Sequence, residues 1–160
     1  MADYYTEASF KVPLNPEQIK FAFDVLDCAQ DERIDFKDKH KNTAAKSFFT
    51  EVYKTAKKLA LSFDDAVYID FNIERQDDGI WISHETSIDT EIASYFVYLI
   101  LKHFNLDICV AIEASHTCSK PRLDAFGGHA AFVTKNGVKW MSTRQWINKQ
   151  TDAFNKSLAA

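Results

Sequence analysis

Residues 67–83 read Val67-Tyr68-Ile69-Asp70-Phe71-Asn72-Ile73-Glu74-Arg75-Gln76-Asp77-Asp78-Gly79-Ile80-Trp81-Ile82-Ser83. Apolar side chains fall at every second position from Val67 to Ile73, the period of a strand with one buried face. Gln76-Asp77-Asp78-Gly79 has the polar residues and closing glycine of a tight turn, and Ile80–Ser83 supplies the returning strand. The stretch predicts an antiparallel hairpin. A lone hairpin is marginal in water, so the rest of the chain must supply further strands and a layer to cover the apolar face.

Toward the N-terminus, Thr43–Leu61 carries Ala44, Phe48, Val52, Ala56 and Leu59 three or four residues apart, the buried stripe of a helix. Gln30–Asn42 is charged and lacks helical periodicity, which reads as an exposed loop. Ahead of it, Asn15-Pro16-Glu17 is a helix start: a capping side chain, a proline at the first position and an acid in the first turn. That helix runs to about Ala29, and Ser9–Leu14 before it reads as a short strand. Toward the C-terminus, Asp89–Phe104 is a helix with Ile92, Phe96, Leu99 and Ile100 along one side. Asp107–Glu113 is apolar at nearly every position, as a central strand requires. His129–Thr134 and Val138–Met141 flank the turn Lys135-Asn136-Gly137. A last helix follows a cap at Ser142 or Thr143 and runs to about Ser157. The expected fold is a two-layer α+β domain over residues 1–160, with an antiparallel or mixed sheet of about five or six strands and helices mainly on one face.

The 160 residues fit one domain. The net charge of −4 argues against direct nucleic-acid binding. Residues 1–80 hold sixteen acids and eleven bases, whereas residues 81–160 hold seven and eight. Three cysteines, Cys28, Cys109 and Cys118, show neither a disulfide framework nor a paired metal spacing. Met1–Phe10 does not read as a signal peptide, and Tyr95–Leu101, the longest apolar run, is too short to span a bilayer. These features place the chain in the cytoplasm, away from the membrane, with no cofactor implied.

Ala114–His129 concentrates the chemistry-bearing residues and is longer than an ordinary hairpin loop. It reads as a long connection. Cys118 is a candidate nucleophile, with His116 or His129 as base and Arg122 as anion clamp. Against this, a phosphatase loop needs its arginine six residues after the cysteine, and Arg122 is four after Cys118. His116, Cys118 and His129 match no metal-site spacing, and no phosphate-binding glycine loop is present. The alternative is structural: Pro121 stiffens the loop, Phe126 anchors it in the core, and Arg122 crosses to an acid or a carbonyl. Gly127-Gly128 then allows a bend, and Cys118 is buried as a small apolar residue. Trp81, Trp140 and Trp146 read as core or rim packing.

The closing segment, Thr117-Cys118-Ser119-Lys120-Pro121-Arg122, Phe126-Gly127-Gly128, Ala131–Thr134 and Trp140-Met141-Ser142-Thr143 with Trp146, resembles that of a group of small uncharacterised phage and mobile-element proteins. The opening Val12-Pro13-Leu14-Asn15-Pro16-Glu17 is similar too, while His129 stands where the group often has a third glycine. The resemblance implies a phage or mobile-element habitat in a bacterial host, not a reaction. It favours a stoichiometric binding protein over an enzyme, one that inhibits or modulates a host defence protein, with an anti-CRISPR as the sharpest form. An acidic surface suits the basic channel of a nucleic-acid-binding defence complex. The expected contact residues are Asp31, Glu32, Asp35 and Asp38 in the charged loop and Asp77 and Asp78 in the hairpin turn.

Overall fold

The computed structural model describes residues 2–37, 50–63, 69–123 and 125–158. In chain order the elements are β1 (Tyr4–Pro13), α1 (Pro16–Gln30), α2 (Thr50–Leu61), β2 (Asn72–Gln76), β3 (Gly79–Ser83), α3 (Thr90–His103), β4 (Cys109–Cys118), β5 (Gly127–Thr134), β6 (Gly137–Ser142) and α4 (Thr143–Leu158). The strands form one sheet in the order β2-β3-β1-β4-β5-β6. Every neighbouring pair is antiparallel. The fold is α+β, as the hairpin reading requires.

Alternation explains how the layers meet. In β1, Phe10 and Val12 are buried while Ser9 and Lys11 are exposed; in β4, Val110, Ile112 and Ala114 are buried while Ala111, Glu113 and Ser115 are exposed. Pairing keeps these sets in phase, with Phe10 opposite Ile82 and Ile112 opposite Ala131. The inner face is covered by α1, α2 and α3, which bury Ile19, Val25, Leu59, Phe96 and Leu101 in the same core. Phe96 is fully buried with Phe71 5.9 Å away between ring centroids. Among the described residues no helix covers the outer face.

The helix starts follow their caps. Asn15 accepts from the Gln18 backbone N–H while the Gln18 side chain accepts from that of Asn15, each at 2.9 Å. Asp89 accepts from the N–H groups of Glu91 and Ile92 at the head of α3. Each cap satisfies donors that the first helical turn leaves without partners.

Several expectations need correction. The hairpin exists with a two-residue turn, Asp77-Asp78, but its first strand is Asn72–Gln76 rather than Val67–Ile73. The turn sets the register from Gln76 opposite Gly79 outward, and β3 ends at Ser83 opposite Asn72. Residues 69–71 therefore have no partner strand among the described residues, although Phe71 is buried. Residues 67 and 68 lie outside the described residues, as do the first seven of the helix expected at 43–61. β4 continues through Cys118, so Ala114–Cys118 is strand and the connection is only residues 119–126. Ala114, His116 and Cys118 alternate with Ser115 and Thr117, a polar version of the same period-two pattern. Of the two placements expected for Trp81, Trp140 and Trp146, core or rim, none is in the core, and Trp140 packs at the rim beside His129.

Candidate functional site

The end of the sheet beyond α3 gathers side chains from four distant parts of the chain. Thr6 on β1 lies opposite His116 on β4. His116 and His129 project from the same face of neighbouring strands, and Thr90 is the first residue of α3. They form one hydrogen-bonded chain. Thr6 Oγ1 lies 3.2 Å from His116 Nδ1, His116 Nε2 lies 2.8 Å from His129 Nδ1, and His129 Nε2 lies 2.8 Å from Thr90 Oγ1. Trp140 packs beside the His129 ring, 5.5 Å between centroids.

A neutral imidazole has one donor and one acceptor nitrogen. Two proton arrangements therefore satisfy the chain, one running from Thr6 to Thr90 and the other in reverse. One extra proton also fits, with both outward nitrogens donating to threonine hydroxyls. A second would set N–H against N–H between the rings and break the central bond. Burial pushes the His129 pKa below its ordinary value, proximity of His116 pushes it further, and Glu91 opposes both. The hydrogen-bond geometry of the pair thus has room for one added proton and not two, next to a cleft of about 390 Å³ bordered by Tyr4, Tyr5, Phe126 and Arg144.

Gly128 lets the strands approach at this site. A Cβ on it would stand 2.7 Å from the Ala114 carbonyl oxygen. Its backbone N–H donates to Thr143 Oγ1 at 3.1 Å, and that hydroxyl donates to the Gly128 carbonyl at 3.2 Å, which ties the root of α4 to β5.

The candidate residues of the Ala114–His129 segment are only partly brought together. His116 and His129 touch, but each ring nitrogen is occupied by the chain just described. Cys118 is half-buried on the same face as His116, and among the described residues no hydrogen bond joins it to either imidazole. Arg122 is exposed and donates to the Tyr4 hydroxyl at 3.1 Å. Phe126, expected in the core, is 57% exposed. Ala125 is buried in its place, so a small residue anchors the return to β5. Cys118 is likewise not fully buried.

The acidic residues fall into two groups. Asp31 and Asp35 follow the C-terminal end of α1, with Glu32 exposed between them. Asp31 accepts two bonds from the Arg33 guanidinium at 2.8 Å, and these hold its carboxyl at a pKa of about 2. Asp35 accepts from the Lys37 backbone N–H. Asp77 and Asp78 form the hairpin turn near the other end of α1, where the Leu14 N–H donates to the Asp78 carbonyl. Asp78 is paired with Lys11. The two groups are separated by the length of α1, about 22 Å for fifteen residues. Asp38 lies outside the described residues.

A further feature stands outside that reading. All sixteen residues of α4 are exposed. The helix is capped at its root, where Ser142 Oγ accepts from the Gln145 N–H and the Gln145 side chain accepts from the Ser142 N–H. Beyond the root it projects from the body with Trp146 57%, Ile147 54%, Phe154 62% and Leu158 71% exposed. Ile147, Phe154 and Leu158 recur at helical spacing on one side with Trp146 beside them, while Lys149, Asp152 and Lys156 lie opposite. The stripe is visible in the sequence. Its exposure is not, because a docked helix has the same pattern.

No protein-family model matches the chain, and neither a curated protein nor a solved structure matches it. No helix among the described residues is long and apolar enough to cross a membrane.

Proposed function

We propose that this chain acts by stoichiometric binding to another protein, and that its target is a protein of a bacterial host. The observation that carries this reading is α4, a sixteen-residue helix with every residue exposed, three large apolar side chains on one stripe and Trp146 beside them. An isolated helix of this length is marginal in water. Apolar side chains placed this way gain their stabilisation when a partner covers them. At the two ends of α1, where Asp31 is held by Arg33 and Asp78 by Lys11, the exposed Glu32 and Asp77 add negative charge suited to a basic partner. A defence protein with a basic nucleic-acid channel fits that chemistry, and an anti-CRISPR role is its most specific form. The test is capture from host lysates by the immobilised chain at micromolar concentration. One host protein should be retained near equimolar ratio, and Trp146→Asp with Phe154→Asp should reduce its retention at least tenfold. Failure to retain any partner across several hosts ends the reading.

A second reading rests on the Thr6–His116–His129–Thr90 chain beside its cleft, an arrangement that can take up and release one proton. It is a small enzyme or ligand-binding domain using His116, His129, Cys118 and Arg122. Iodoacetamide separates the two. Alkylation of Cys118 at pH 7 no faster than that of a free thiol removes the nucleophile from this reading.

A further inference from the structure

Among the described residues two surfaces lack cover, and their properties are complementary. One is the apolar stripe of α4. The other is the helix-free face of the sheet. On that face Ala111, Phe132 and Lys139 form one cross-strand row, and Glu113, Ala130 and Met141 form the next. Phe132 is 46% exposed and Met141 58%. Small alanines between two larger apolar side chains leave a shallow apolar floor of the kind onto which a helix packs. Beside it runs a trough of about 660 Å³ whose rim carries Glu7, Glu85 and Glu113 and which ends at Thr143, the root of α4.

Charge points in the same direction. Arg144, Lys149 and Lys156 against Asp152 make α4 basic in a chain whose net charge is −4. The trough is acidic. A basic amphipathic helix and an acidic, partly apolar face on one chain attract each other between copies.

We propose that two copies of this chain associate reciprocally, the α4 of each lying across the helix-free sheet face of the other. This rests on the reading of α4 as a contact surface and gives that surface a second copy as its occupant, so a host protein bound through α4 competes with the dimer. The occupant is a second copy because the complementary face is present on the same molecule and begins where α4 is rooted. A two-fold axis near Thr143 then makes both contacts at once, as a closed isologous dimer requires. Reciprocity doubles the contact: two helices, each about 24 Å long, are covered instead of one, toward the roughly 1,600 Å² of a standard stable interface.

The experiment is sedimentation velocity on the full chain, from 1 to 100 μM, for the wild type, Phe154→Asp and Phe132→Asp. Both side chains are exposed, so circular dichroism should show each variant folded. The wild type should sediment as a dimer and each variant as a monomer. An equimolar mixture of the two variants should recover dimer in part, because the intact α4 of one can seat on the intact sheet face of the other. A monomeric wild type at 100 μM overturns the proposal. So does a dimer broken by Phe154→Asp but untouched by Phe132→Asp, which would be helix pairing with helix. The two readings fail separately. A monomer that retains a host protein through α4 refutes the reciprocal dimer alone, and a reciprocal dimer that retains no host protein refutes the host target alone.

Discussion

At the scale of single residues, His129 couples the fold to pH. Its folded pKa is lowered by burial and by His116, relative to about 6.5 for an unperturbed imidazole. The unfolded chain therefore takes up this proton first as pH falls, and uptake by the unfolded state lowers stability. The contribution is whole above about pH 6.5 and is lost as pH falls toward the folded value. Urea unfolding at pH 7.5 and pH 5.0 should show a larger loss for the wild type than for His129→Gln. Equal losses would refute the coupling. Gly128 carries a steric prediction. A methyl group there meets the Ala114 carbonyl at 2.7 Å, and the facing atom is backbone that cannot swing aside. Gly128→Ala should cost about 1–3 kcal/mol in chemical denaturation, the usual range for overpacking. The sequence named both histidines but not Thr6 or Thr90. Those partners come from residues 110 and 39 positions away, through strand register and helix placement that no local pattern encodes.

At the scale of elements, legibility followed local chemistry. Asn15-Pro16-Glu17 marks the start of α1 because a cap is a contact between near neighbours. Removing it should act locally as well: Asn15→Ala should cost about 1 kcal/mol, read as a shift in the denaturation midpoint at unchanged slope. Strand ends were less legible. The end of β2 depends on where β3 stops, and the length of β4 depends on β1 and β5 continuing beside it. Polar residues such as Ser115, His116 and Thr117 read as loop until that pairing is known. The acidic groups show the same limit, since proximity in composition did not make Asp31 and Asp77 neighbours in space.

At the scale of the whole molecule, the core among the described residues is made by the inner sheet face with α1, α2 and α3. Phe96 has no exposed surface, whereas Phe126 is more than half exposed. Phe96→Ala should therefore cost roughly 3–5 kcal/mol and Phe126→Ala no more than about 0.5 kcal/mol. Thermal melts of the two variants side by side decide this; a large loss for Phe126→Ala would show that it is covered in solution. The α+β class and the antiparallel hairpins were legible because period-two alternation reports a half-buried sheet directly. The strand order was not, because β1 has to be inserted between two hairpins formed far along the chain.

That insertion bears on how the protein is made. β1 comprises residues 4–13, and its two neighbours in the sheet are residues 79–83 and 109–118. At 5–20 residues per second, the ribosome takes roughly 5–20 s to deliver the second neighbour after the first strand has emerged. Until β3 emerges, Phe10 and Val12 lack a partner strand on either side, and until β4 follows one edge of β1 stays open. Unpaired apolar strand edges are aggregation-prone, so shielding of the leading segment matters most before synthesis has passed Cys118. A stalled chain that ends before β4 would expose the same segment to its neighbours on the polysome.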